Sequence, residues 1–146
     1  MWLIVFHCLE LIKLCTKKFL SYSSKDIHSF SNCDGELYVT GNYNIPGSEA
    51  SQAYLRKLST TGEVLWETAV PLTDPNPDIY QTTGESLALD ASDNIYLLTN
   101  VWGSTYNGWQ VTKLNPATGN VIWNTQEVQD SQDAMDLTVL SNGQIA

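Results

Sequence analysis

The sequence predicts an all-β fold, a partial β-propeller of four-stranded antiparallel blades, from three observations. Short apolar runs alternate with turn-forming residues from residue 34 onward. The same strings recur 56–58 residues apart. Tight connections join four such runs within each span of about 50–57 residues, the plan of a propeller blade. A chain of 146 residues is long enough for one ordinary domain with a single core.

The first recurrence pairs "ELYVTGN" (Glu36–Asn42) with "NIYLLTN" (Asn94–Asn100) at an offset of 58. "RKL" (Arg56–Leu58) returns as "TKL" (Thr112–Leu114) 56 residues later, and Gly62 and Trp66 return as Gly119 and Trp123 at 57. These small drifts fall in loops, where insertions are tolerated. A third copy opens with "DLTVLSNGQIA" (Asp136–Ala146), which matches "SLALDASDNIY" (Ser86–Tyr96) at an offset of 50. The complete blade is expected over 84–128, an incomplete one over 34–70, and the start of another over 134–146.

Within the complete unit, "SLALD" is a short apolar run and "SDN" (Ser92–Asn94) is turn chemistry. "IYLLTN" follows, rich in the types that suit a pleated surface. "WQVTKL" (Trp109–Leu114) alternates as a strand does, and "NPATGN" (Asn115–Asn120) places Pro and Gly where a hairpin reverses. "VIWNTQEV" (Val121–Val128) closes the unit. In both copies a glycine precedes the tryptophan by four residues, at the exit of a hairpin turn. Glycine adopts positive φ there without a Cβ clash. Gly62, Trp66, Gly119 and Trp123 are therefore expected to serve structure, the tryptophans filling the wedge between neighbouring blades rather than forming a site.

The unit "ESLALDASDNIYLLTN…WQVTKLNPATGNVIW" resembles the bacterial SBBP propeller repeat, whose pattern ends in a Lys-Leu turn with Gly-x-x-x-Trp. The resemblance covers about residues 34–146. It implies a blade-built, extracellular or cell-surface bacterial protein that binds or scaffolds without catalysis. The end of the unit also resembles the tryptophan-docking motif of quinoprotein (PQQ-like) dehydrogenases, A-x-D-x-x-T-G-x-x-x-W. Thr118, Gly119 and Trp123 match it, whereas Lys113 stands in place of its Ala and Asn115 in place of its Asp. That second resemblance implies a rival function, a blade pair from a quinone-dependent dehydrogenase.

Charge and cysteine divide the chain near residue 34. Residues 1–33 hold four lysines against Glu10 and Asp26, a balance of +2, and all three cysteines: Cys8, Cys15 and Cys33. Residues 34–146 hold Arg56, Lys57 and Lys113 against fourteen acids, a balance of −11, so no disulfide framework is available there. The overall charge of −9 argues against nucleic acid and against an anionic membrane surface as partners. The apolar run Trp2–Leu9 is broken by Glu10 and Lys13, too soon for a transmembrane helix. Its lysines follow the run, opposite to a secretory signal. Residues 1–33 are left as a docking amphipathic helix, a start foreign to the domain, a degenerate export signal or an interfacial anchor.

Three loops offer chemistry. In "DPNPDIYQTTGE" (Asp74–Glu85), Asp74, Asn76, Asp78 and Glu85 occupy positions 1, 3, 5 and 12 of a calcium loop. Ile79 replaces the glycine of position 6, and Pro75 and Pro77 stiffen the segment, so a plain connector is the competing expectation. In "NVWGSTYNGW" (Asn100–Trp109), the aromatics Trp102, Tyr106 and Trp109 beside amides and hydroxyls suit stacking on a sugar ring, or else capping of a neighbouring blade. Asp130, Asp133 and Asp136 read as solvated loop charge. For catalysis no nucleophile elbow, zinc-protease helix or phosphate loop is present, and His7 and His28 both lie outside the repeats. A propeller closes with ~4–8 blades. The chain is accordingly expected to belong to a longer frame, its partners being further blades, or to self-associate through open strand edges. A protein or glycan ligand would then bind through the loops.

Overall fold

A computed structural model describes residues 25–33, 36–72, 79–105, 107–128 and 133–146, with the backbone alone at 25–33 and 126–128. The described residues are all-β and contain no helix: β1 (Lys25–Cys33), β2 (Glu36–Asn44), β3 (Ser51–Leu58), β4 (Val64–Ala69), β5 (Ile79–Leu89), β6 (Ile95–Gly103), β7 (Asn107–Leu114) and β8 (Val121–Val128). They form one open, mostly antiparallel sheet. Its hydrogen-bonded path runs β1-β2-β3-β5-β6-β7-β8, with β4 attached to β3 off that path. Two antiparallel meanders result, β1–β4 and β5–β8. A single parallel bridge, Ser51 to Gln81, joins them. The pairing of β1 with β2 runs from Lys25↔Tyr43 to Cys33↔Glu36, across the compositional change at residue 34. The segment 1–24, where an amphipathic helix is one expectation, lies outside the described residues.

The strand pattern follows from side-chain alternation. On β2, Leu37 and Val39 point to one face and join Tyr54 and Leu58, while Tyr38 between them points to the other. That second face, with Ala53, Leu55 and Val70, packs on Ile95, Leu97 and Leu114 of the second meander. β6 repeats the alternation: Ile95 and Leu97 face the first meander, and Tyr96 and Leu98 face away, onto Val111 and Leu137. β5 contains an additional stretch that the sequence assigns to a connector, since it begins at Ile79 and pairs with β6 from Gly103 downward. Tertiary pairing overrides the turn-like composition there. The end of the chain forms a small hairpin bridged between Val139 and Ile145, with Thr138 and Ala146 exchanging backbone hydrogen bonds of 2.8 and 3.0 Å.

Each β3–β4 and β7–β8 reversal is built in the same way. Ser59 accepts amide hydrogen bonds from Thr61 and Glu63, and Asn115 Oδ1 accepts those of Ala117 and Thr118. These side-chain caps fix the turn. Gly62 at φ 78° and Gly119 at φ 73° then turn the chain into the next strand through backbone space that a Cβ makes costly. Both hairpins carry a bulge at the same point, after which Lys57 stands opposite Trp66 and Lys113 opposite Trp123.

The meanders approach closely at Gly84 on β5. A Cβ there would stand 1.9 Å from Thr40 Oγ1 and 3.3 Å from the Gly41 amide nitrogen. The Thr40 hydroxyl cannot swing away freely, because it donates a 2.7 Å hydrogen bond to the Tyr54 carbonyl and is fully buried. Gly84→Ala is therefore expected to lower the free energy of unfolding by about 1–3 kcal/mol, measured by urea denaturation. Combining it with Thr40→Ala should recover part of that loss, since the colliding hydroxyl is removed.

Candidate functional site

Three of the residues that recur in the sequence, Lys57, Trp66 and Gly119, converge on one interface. Trp66, on β4, lies partly buried between the meanders. Its indole N–H donates to the Pro116 carbonyl at 3.2 Å. Lys57 donates to that same carbonyl at 3.2 Å, and the Thr68 hydroxyl donates to the Gly119 carbonyl at 2.9 Å. Three donors of the first meander thus hold the Asn115–Asn120 turn of the second. The indole lies flat enough against Gly119 that a Cβ there would stand 2.7 Å from Trp66 Cε3 and 2.9 Å from Cδ2. Glycine is required at that point twice over, for its φ and for the closeness of the ring.

Behind Trp66 stands Tyr38, ring centroids 6.0 Å apart and tilted by 46°. The Lys57 ammonium sits 5.5 Å from the Tyr38 centroid and pairs with Glu36. Burial pulls the Lys57 pKa down, but Glu36 and Tyr38 more than offset this and hold it above 10.5, so the lysine stays charged. The second meander carries the same stack. Trp123 meets Tyr96 at 6.0 Å and 64°, and Lys113 lies 5.0 Å from the Tyr96 centroid and 3.9 Å from Asp90. Here Trp123 is 37% exposed.

Asp90 is the anchor of the β5–β6 turn. Its carboxylate accepts the Ser92 and Asn94 amides at 2.9 and 3.0 Å, the Asn94 side-chain amide at 2.8 Å and the Tyr96 hydroxyl at 3.1 Å. Partial burial would raise its pKa, but the hydrogen bonds from Asn94, Ser92 and Tyr96 outweigh that and hold it below 3.8. Asp93 in this turn has φ 61°, and Gly143 takes the matching place in the C-terminal hairpin at φ 81°.

Of the aromatics proposed for sugar stacking, Trp102 and Trp109 are engaged with the segment that follows β8. Trp102 donates its indole N–H to Asp133 at 3.0 Å, and Trp109 packs on the cluster of Tyr96, Leu98, Val111 and Leu137. Asn100 clamps Ala134 from both sides, donating to its carbonyl and accepting from its amide, each at 3.0 Å. Asp136 accepts hydrogen bonds from the Ser86 hydroxyl at 2.7 Å and the Leu137 amide at 2.8 Å. Those bonds hold its carboxyl below the ordinary value. Asn100, Ser86 and Gln110, whose side-chain amide donates to Pro71 O at 2.9 Å, are missed by motif reasoning because buried polar clamps have no spacing signature. Tyr38, Tyr96, Lys57 and Lys113 do carry a signal, since each pair recurs within the 56–58-residue offsets.

Of the calcium-loop residues, Glu85 lies on β5 beside a bulge between Gly84 and Ser86. Asp74, Asn76 and Asp78 lie outside the described residues, as do Tyr106 and Asp130. Among the described residues no group of three His, Cys, Asp or Glu side chains converges as a metal site. An open, largely apolar cleft of about 340 Å³ lies where the β2–β3 loop meets the start of β5, lined by Ile45, Ser51, Gln52, Leu72, Tyr80 and Thr82.

Trp66→Ala is expected to cost about 3 kcal/mol or more in unfolding free energy, as loss of a packed tryptophan does. Trp123→Ala should cost about 1 kcal/mol or less, since its outer face meets solvent. Comparing their chemical denaturation midpoints checks this asymmetry. A second expectation concerns pH. The folded pKa of Asp90 lies below its unfolded value, so its contribution is complete above the ordinary carboxylate value and lost as pH falls through the folded one. The stability gap between the parent and Asp90→Ala, about 1–2 kcal/mol at pH 7, should hold down to about pH 5 and close below 3.8. In comparison with known proteins, no family model matches the chain, and no curated protein matches it as a relative.

Proposed function

We propose that the chain is a non-catalytic scaffold or binding module built of propeller-type blades, the two meanders being successive blades of a larger arrangement. The observation that carries this reading is the seating of Trp66 on the Asn115–Asn120 turn. It is a contact from one unit to the next, made by residues that both units possess. The flanking contacts obey the same rule. Leu87 and Leu89 pack in the cluster of Tyr38 and Leu55, while Leu137 and Val139 pack on Tyr96 and Val111. Each unit thus covers one apolar face of the unit before it, as in architectures whose stability is a sum of unit and nearest-neighbour terms. Such a body displays its loops on a rigid frame, and the cleft beside Tyr80 and Gln52 is the surface such a module offers to a ligand.

The test is to lengthen the chain with successive copies of the 79–128 sequence and follow unfolding by denaturant and shape by electron microscopy. Stability should rise with each added unit, and a toroid should appear within the ~4–8 units of closed propellers. Stability independent of unit number, or only extended rods at every length, would refute the blade reading.

A further inference from the structure

The C-terminal hairpin repeats the β5–β6 reversal with its capping residue exchanged. Leu140 stands where that reversal has Asp90, Gly143 where it has Asp93, and Gln144 where it has Asn94. The backbone follows the same course. Leu140 N donates to the Gln144 carbonyl and Gly143 N to the Leu140 carbonyl, each at 2.8 Å, as Asp90 and Asp93 do in their turn at 3.1 and 3.0 Å. In the earlier turn the Asp90 carboxylate accepts the Asn94 amide. A leucine side chain has no oxygen to do this, so capping passes to Asn142. Its Oδ1 accepts the Gln144 amide at 3.0 Å, and its Nδ2 donates to Gln144 Oε1 at 2.7 Å.

The transfer places a carboxamide directly before a glycine. The backbone nitrogen that follows an asparagine is a nucleophile within reach of the side-chain carbonyl. A Cβ on the following residue crowds that approach, and glycine has none. The Gln144 N–H on Oδ1 draws electron density from Cγ and makes it more electrophilic. Asn142, Gly143 and Gln144 are all exposed, so water reaches the reacting atoms. The Gly143 N–H is engaged with Leu140 O, and attack occurs when the turn opens. The hairpin behind it is closed by the Val139–Ile145 bridge and the two Thr138–Ala146 hydrogen bonds. The chain's other Asn-Gly pair, Asn107–Gly108, is held differently: Gly108 is buried in β7 between Val101 of β6 and Val128 of β8.

We infer that Asn142 is a self-modification site, converted by water to aspartate and isoaspartate. The Gly143 nitrogen gives up its proton and bonds to Asn142 Cγ. The Cγ–Nδ2 bond breaks, and Nδ2 takes that proton and leaves as ammonia. Water then opens the cyclic imide. Cleavage at Cγ yields aspartate, whereas cleavage at the α-carbonyl routes the chain through Cγ as isoaspartate. One water is consumed, one ammonia is released and one negative charge is added. The isoaspartyl product lengthens the turn by a methylene and breaks the Leu140–Gln144 register, in the hairpin whose Leu137 and Val139 cover Tyr96 and Val111. The inference stands independently of the blade reading.

The full chain is incubated in mildly alkaline buffer, folded and in denaturant, and sampled by mass spectrometry with a fragmentation that separates aspartate from isoaspartate. In the folded chain Asn142 should gain one mass unit several-fold faster than Asn107, with isoaspartate among the products. In denaturant the two sites should react at similar rates, since both precede glycine. Asn142→Gln should abolish the gain at that position. Leu140→Asp, which restores the cap of the Asp90 turn, should slow it. In the isoaspartyl fraction the Thr138 and Ala146 amides should exchange with deuterium faster than in the parent. An Asn142 that reacts in denaturant but stays intact in the folded chain would overturn the inference. So would folded-state rates at Asn142 no greater than those at Asn107.

Discussion

An indole plane lying on a turn that has no Cβ is the contact on which the arrangement of the two meanders depends. Dispersion between a ring and a flat peptide is weak per atom and substantial over a whole indole, and it requires approach to van der Waals distance. Gly119 permits that approach. The hydrogen bonds from Trp66, Lys57 and Thr68 fix it in direction, leaving the turn carbonyls satisfied rather than stranded at a buried junction. Tyr38 also meets the indole, its ring tilted by 46° at a centroid distance of 6.0 Å. Apart from that seat, β3 and β5 are linked by the parallel bridge between Ser51 and Gln81 and by the Ala53 amide on the Thr82 hydroxyl.

Buried polar side chains do the remaining work at the seams. Where a chain leaves one meander for the next, ladder hydrogen bonds end and backbone groups need other partners. Thr82 accepts from the Ala53 amide at 2.7 Å, and Gln110 reaches Pro71 O. Asn100 serves both polar groups of Ala134. These side chains are almost wholly buried, with Gln110 at 0% and Asn100 at 1% exposure. Their hydrogen bonds make the junctions specific in position as well as apolar in bulk.

Strands β2–β4 and β6–β8 were legible in the sequence because three signals coincide in them: alternation, turn residues and recurrence. "YVT" and "YLL" alternate inward and outward as their buried positions do, and Gly62 and Gly119 sit where φ turns positive. Two strands were less legible. β5 begins within a Pro- and Asp-rich string because pairing with β6 outweighs local preference. β1 lies in a stretch whose charge and cysteine content differ from the rest, although its backbone pairs along the full length of β2. Of the interface, Trp66 and Gly119 were legible as packing residues, but that one touches the other was not. They are 53 positions apart in sequence, and recurrence aligns each with its own counterpart instead. The clamps of Asn100 and Gln110 had no pattern at all, since one amide in each place suffices.

The Trp66 contact also has a direction. One side of it presents an aromatic ring with three hydrogen-bond donors, and the other presents a turn with carbonyls and a glycine. The two surfaces are different, so no twofold axis passes through the contact itself. Heterologous contacts of this kind propagate head to tail, and the fixed rotation from one unit to the next determines whether the series meets its own beginning or runs on as a helix. The handedness and count of any such series are thus set locally, by the angle at which one indole lies on one turn.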